Sequence, residues 1–181
     1  MDRILPHDNP SALKEITIER ATMSDLDAIV AIEQASFPTP WSREAFEAEL
    51  RGNAFSHLLV ARFPAQIGPA LAGYCCFWIV FEELRILNCA VRREHRRQGI
   101  GARLLRHAMA EGRTHGATRA LLEVRASNEP ALNFYRRLGF RAYGTRTGYY
   151  TNPDEDAILM TFEPLCSPDS VQPQPIQNPR L

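Results

Sequence analysis

The chain has 181 residues, 45% of them hydrophobic and 23% charged, with 21 Lys and Arg balanced by 21 Asp and Glu for a formal net charge of zero. That length and composition suit one globular domain around a single core. The balanced charge gives no electrostatic case for a nucleic-acid partner or an anionic membrane surface.

Residues 1–14 read as a loose lead-in, because "MDRILPHDNP" carries acidic residues and prolines where a secretory leader needs an apolar core. "EITIER" alternates as a strand does, and "TMSDLDAIVAIEQASF" follows as a helix with Thr22 and Asp25 at its start. Leu26, Ile29, Val30 and Ile32 share a broad face of that helix. "FPTPW" breaks it, and "SREAFEAEL" restarts one behind Ser42, with Phe46 and Leu50 four residues apart. Three strands come next, in "SHLLVARF", "LAGYCCFWIVFEE" and "LRILNCAV". The apolar run at 71–81 is too short for a bilayer-spanning helix, and its aromatic and β-branched residues predict a buried strand.

A glycine stretch, "RRQGIGARLL" at 96–105, opens a helix that runs to about His115, with Gly116 as its stop. "ATRALLEVR" is a strand. "NEPALNFYRRL" is a short helix with Asn128 as cap, Pro130 in its first turn and Gly139 beyond its end. "FRAYGTRTGYY" and "EDAILMTF" close the domain as two strands. From 164 to 181 five of the 13 prolines occur among little that could pack, which predicts a flexible tail. The order predicts an α/β domain over 15–163. Its sheet is mixed, antiparallel in the hairpins and parallel where a helix intervenes between strands.

Cys75, Cys76, Cys89 and Cys166 form no C-x-x-C pair and predict reduced thiols in a cytoplasmic protein, with neither a disulfide scaffold nor a zinc site. His57, His107 and His115 lack the spacing of a metal pair, so no metal is expected.

The two glycines at 99 and 101 permit either a tight turn or a close backbone approach to an anion. A dinucleotide fingerprint would need glycine where Leu104 stands, and the P-loop spacing and lysine are absent. What is present is Arg-x-x-Gly-x-Gly after a strand and at a helix start, with Arg96 and Arg97 adding charge. That favours phosphate. Glu123 interrupts an apolar strand. It reads either as an ion pair with Arg125 on the same face or as a proton acceptor. Tyr135 reads either as a core aromatic or as a phenol donor, and Phe134 beside it already supplies an aromatic to bury.

"NCAVRREHRRQGIGARLLRHAM", "LLEVRASNEPALNFYRRLGF", "GYYTNPDEDAILM" and "SFPTPWSREAF" resemble the Gcn5-related N-acetyltransferase superfamily. Within it, the likeness is to its ribosomal-protein-alanine N-acetyltransferase members, with "TP" as additional residues in the last stretch. The resemblance covers about 15–163 and implies a mostly antiparallel central sheet flanked by helices. A splay between its fourth and fifth strands would hold acetyl-coenzyme A, the acetyl donor. It implies that Cys89, Ala90 and Val91 offer main chain to the pantetheine arm. Arg97, Gln98, Gly99, Ile100, Gly101 and Ala102 would grip the pyrophosphate, and Asn128 would reach the cofactor. Glu123 would be the general base and Tyr135 the general acid, with direct transfer in a ternary complex.

The implied acceptor is the N-terminal alanine of a small-subunit ribosomal protein. Its site would be walled by Phe37, Trp41, Tyr149, Tyr150, Asp154, Glu155 and Asp156, with Gly148 letting a peptide backbone approach. Those acids read either as attracting a basic N-terminal segment or as merely solvated turn acids. The competing readings are an acetyltransferase for a polyamine or antibiotic amine, and a coenzyme A-binding sensor without turnover.

Overall fold

The computed structural model describes residues 16–51, 53–64 and 71–165. Seven strands and four helices follow one another as β1 (Thr17–Arg20), α1 (Leu26–Ser36), α2 (Arg43–Arg51), β2 (Ser56–Arg62), β3 (Leu71–Val80), β4 (Glu83–Val91), α3 (Ile100–Thr114), β5 (Arg119–Arg125), α4 (Glu129–Arg137), β6 (Arg141–Thr151) and β7 (Asp154–Phe162). This is the expected order of elements. Single 3-10 turns at Met23–Asp25 and Arg93–His95 lead into α1 and α3.

The predicted starts and stops have visible causes. Asp25 Oδ2 accepts the Thr22 N–H at 2.9 Å, Ser42 Oγ the Ala45 N–H at 3.2 Å, and Asn128 Oδ1 the Ala131 N–H at 3.2 Å. Gly116 and Gly139 end α3 and α4 at φ of 86° and 101°.

The sheet order is β1-β2-β3-β4-β5-β7-β6. Its one parallel pairing among the described residues is β4 with β5, from Glu83–Arg119 to Ile86–Leu122. Helix α3 makes the crossover that this pairing requires. Beyond Ile86 and Leu122 the two strands are no longer paired, although β4 continues to Val91 and β5 to Arg125. The expected splay is therefore present.

Both faces of the sheet are covered. Leu59, Cys75, Phe77, Leu122 and Val124 join the core under α3 and α4. Leu58, Val60, Tyr74 and Cys76 pack with α1 and α2. A strand buried on both faces has no polar side to show, which is why "LAGYCCFWIV" lacks alternation.

Two boundaries differ from expectation. The strand expected over 71–83 stops at Val80, which pairs with Glu83 across a two-residue turn. Phe81 lies in that turn at φ 53° and is 91% exposed. A left-handed residue there suits the twist of a tight hairpin. At the other end, the packed chain reaches past Glu163. Leu165 is only 3% exposed, and its N–H donates to the Thr118 carbonyl at 2.6 Å. The lead-in at 1–14 and positions 166–181 of the expected tail lie outside the described residues. No helix among those described is long and apolar enough to cross a membrane.

Candidate active site

Where β4 and β5 part, a cleft of about 510 Å³ opens between β4, the start of α3 and α4. Cys89, Ala90 and Val91 form its β4 wall. Backbone groups that a continuing β5 would have paired face this gap instead. Arg97, Gly99, Ile100, Gly101 and Ala102 form its second wall, and Asn128 and Tyr135 belong to the third.

The glycine loop is shaped by two left-handed residues, Arg97 at φ 64° and Gly99 at φ 82°. The first helical bond of α3 runs from the Arg103 N–H to the Gly99 carbonyl at 3.0 Å, so the preceding N–H groups have no helical acceptor. Such groups, with the helix dipole behind them, make an anion cradle. The two glycines do different jobs. A Cβ on Gly99 would meet nothing within 4 Å, so glycine serves the backbone conformation and leaves open space above it. A Cβ on Gly101 would come within 3.3 Å of Phe134 Cζ, so that glycine lets α3 approach α4.

Arg106 and Arg137 also line the cleft. The sequence reading missed both, although Arg106 stands seven residues after Gly99 and so on the same helical face. Arg96 lines the cleft too, with its guanidinium anchored: Nε donates to the Val91 carbonyl at 3.0 Å and Nη2 to Ser36 Oγ at 3.3 Å. Gln98, expected among the cofactor residues, does not line the cleft. Its Nε2 turns back to the Glu94 carbonyl at 3.4 Å.

A second cavity of about 270 Å³ adjoins the first and shares Cys89, Asn128, Ala131 and Tyr135 with it. Its other walls include Glu33, Phe37, Trp41, Asn88, Glu123 and Tyr150. Leu122 and Val124 face α3 and α4, so strand alternation turns Glu123 to the α1 and α2 face. Tyr135, on α4, lies across the sheet from it. The carboxylate and the phenol thus reach the splay from opposite faces.

Glu123 does not pair with Arg125. The Arg125 guanidinium bonds Glu155 at 3.1 Å and the Asn152 carbonyl at 2.9 Å, and lies 4.1 Å over the Tyr150 ring. The cation nearest Glu123 is Arg146, at 3.6 Å and more than half exposed, a weak solvated pair. Burial holds the Tyr135 phenol well above the usual tyrosine range, and the neighbouring Cys89 and Cys75 thiols add to the effect. It therefore stays protonated and able to donate. Tyr150 is pushed up to about 12, first by burial and then by Tyr149.

Two of the three hairpin acids are engaged within the protein. Glu155 accepts from Arg125 and from the Ser127 N–H, and that backbone bond holds its carboxyl below the usual range. Asp156 Oδ1 accepts the Gly148 N–H at 2.9 Å and so fixes a turn residue with φ 61°. Neither they, Asp154 nor Tyr149 lines the cavity.

A carboxylate that the sequence reading passed over is at the site instead. Glu33 is fully buried. Its Oε1 accepts the Trp41 N–H at 2.8 Å and Asn88 Nδ2 at 2.9 Å, and its Oε2 accepts the Tyr74 hydroxyl. The signal was its position, seven residues after Leu26 and four after Ile29 on the apolar face of α1.

Cys75, Cys76 and Cys89 are free thiols. Cys75 is raised well above the usual thiol range by its hydrogen bond to Cys89 and by burial. His57 Nδ1 lies 2.7 Å from Glu111, and His107 Nδ1 lies 3.0 Å from the Arg103 carbonyl. Among the described residues no cluster of His, Cys, Asp or Glu is arranged to hold a metal ion.

A splayed mixed sheet with an arginine-lined helix start at its gap and a carboxylate and phenol meeting there is an acyltransferase arrangement. The Acetyltransferase (GNAT) family model matches residues 26–140, and the chain belongs to that family. It is 34% identical over 148 residues to the ribosomal protein bS18-alanine N-acetyltransferase of Escherichia coli (strain K12), covering 81% of this chain and 96% of that protein. It is 38% identical over 143 residues to a Bacillus subtilis (strain 168) protein provisionally given the same name, covering 79% and 92%. The crystal structure of the Escherichia coli ribosomal-protein-S18-alanine N-acetyltransferase superimposes with a TM-score of 0.74 at 30% identity, over 87% of this chain and 99% of that one.

Proposed function

We propose that this chain is an acetyl-coenzyme A-dependent N-α-acetyltransferase whose acceptor is the N-terminal alanine of ribosomal protein bS18. The names of its relatives support the acceptor. One observation supports the chemistry: Tyr135 and Cys89 stand where a cationic cleft meets a second cavity holding Glu123.

The cradle of Gly99 to Ala102 with Arg97, Arg106 and Arg137 suits the pyrophosphate of the donor, and the Cys89–Val91 main chain suits its pantetheine arm. The donor supplies the thioester. The acceptor enters from the α1 and α2 face, between Phe37, Trp41 and Tyr150. A peptide α-amine has a pKa near ~7.7–8.0, so part of it is already neutral and a modest base suffices. Glu123 takes the amine proton, directly or through water, as the nitrogen bonds to the acetyl carbon. Tyr135 donates its proton to the departing sulfur as the carbon–sulfur bond breaks. Asn128 caps α4 at the boundary of the two cavities and fixes the edge over which the acetyl group passes.

The test is a thiol-release assay with acetyl-coenzyme A. An alanine-starting bS18 peptide is compared with polyamines and antibiotic amines, and the peptide's α-amine is checked for acetylation by mass spectrometry. Preferred turnover of the peptide is expected. Preference for a small amine would move the acceptor class, and tight cofactor binding without thiol release to any amine would leave a sensor.

A further inference from the structure

Asn88 lies in the acceptor cavity, one residue before Cys89 on β4. Its Nδ2 donates to Glu33 Oε1 at 2.9 Å. That same oxygen accepts the Trp41 N–H, so the amide nitrogen is the atom that faces it. The amide orientation is thereby fixed chemically, and the carbonyl oxygen Oδ1 takes the other direction. Among the described residues no protein hydrogen bond ends on that oxygen. The carboxylate that locks it is itself locked by the Trp41 N–H and the Tyr74 hydroxyl.

The backbone places Asn88 here by an irregularity. Leu84 and Ile86 face the α3 and α4 core, and regular alternation would send residue 88 the same way. The pairing with β3 shifts between Cys76–Asn88 and Phe77–Ile86, which leaves Leu87 as an extra residue. This bulge rephases the strand, so Asn88 meets Glu33 of α1 and Cys89 turns to the other face. Bulges beside active sites commonly re-aim a side chain in this way.

We propose that Asn88 is an acceptor-binding residue whose Oδ1 receives an N–H of the incoming α-amine, with Glu33 as the positioning residue that orients it. Asn88 and Glu123 then hold the amine from two strands of the splay, one taking a hydrogen bond and the other the proton. This rests on the N-terminal acetyltransferase reading above.

The test is direct binding with coenzyme A present and no acetyl group to transfer. Two peptides are titrated into the protein: the alanine-starting bS18 peptide and the same peptide with a propionyl group replacing alanyl, which lacks the amine. The parent should favour the amine. In Asn88→Ala that preference should shrink by about 10-fold or more, the scale of a hydrogen bond to a charged or strongly polar group. Coenzyme A affinity should stay within about twofold. A merely structural loss would weaken both peptides together and leave their ratio alone.

Glu33→Gln keeps the shape but frees the Asn88 amide to turn, so it should narrow the same ratio by a smaller factor. This variant carries the test if Asn88→Ala does not fold. An unchanged ratio in the folded variants, with a parent that discriminates, overturns the role of Asn88 alone. A parent that does not distinguish the two peptides overturns the acceptor reading and this inference with it.

Discussion

Gly99 and Gly116 flank opposite ends of α3, a helix about 22 Å long. They form a matched pair, with φ of 82° and 86°, and an added Cβ would touch nothing within 4 Å at either position. Alanine at each therefore costs only the left-handed backbone, about 1–2 kcal/mol, less the roughly 0.4–1 kcal/mol gained by restricting the unfolded chain. A net loss of about 1 kcal/mol lowers Tm by about 2–4 °C for a chain of this size. The stability effects should be alike and the binding effects should not. At Gly99 the methyl group enters the open space above the cradle, so acetyl-coenzyme A affinity in Gly99→Ala should fall at least about 10-fold, or about 1.4 kcal/mol. Gly116→Ala should bind as the parent does. Thermal melts and calorimetric titrations of the three proteins check both halves. Equal, unchanged affinities at equal stability loss would place the anion away from the start of α3. A much larger stability loss at either glycine would refute the reading of open space.

Two further outcomes concern stability. A chain ended after Glu163 loses the buried Leu165 and should be about 2–4 kcal/mol less stable in denaturant titration than one ended after Leu165; coincident midpoints would show that Leu165 contributes nothing. Burial pushes the Asp25 carboxyl upward, but the Arg62 guanidinium at 2.7 Å and the Thr22 N–H outweigh it and leave it below the usual range. A depressed folded pKa gives stability that is present above the unfolded value, about 3.9, and lost as pH falls through the folded one. Arg62→Met should therefore lower stability near neutrality and flatten the acid limb; parallel acid limbs would refute the pairing.

The order of elements was legible because each segment carried its own signal, such as the glycine after α3 or the asparagine before α4. The position of β7 between β5 and β6 was not, because sheet order is a long-range choice with no local mark. The same limit explains Arg125. Spacing along β5 offered Glu123 as its partner, but the returning hairpin brings Glu155 and two carbonyls to it, and Glu123 is left to the cavity. The partners of Glu155 and Asp156 were hidden for a related reason: Ser127 and Gly148 lie where only folding brings them together. Glu33 was legible in principle, as a carboxylate on an apolar helical face. The bulge that delivers Asn88 to it was not, since nothing in "LRILNCAV" marks an extra residue.

The central claim is that a base on one face of the splay and an acid on the other act on one acetyl group. Its most direct test is the pH dependence of turnover in Tyr135→Phe and Glu123→Gln, measured with saturating alanine-starting peptide. Tyr135→Phe should lose about 10²–10⁴ in rate with no rescue as pH rises, because the phenol is held above the usual tyrosine range, and it should keep its acetyl-coenzyme A affinity. Glu123→Gln should recover part of its rate as pH rises past about 7.7–8.0, where the amine is already neutral. Near-normal turnover in Tyr135→Phe, or a parental pH profile in Glu123→Gln, would contradict the account.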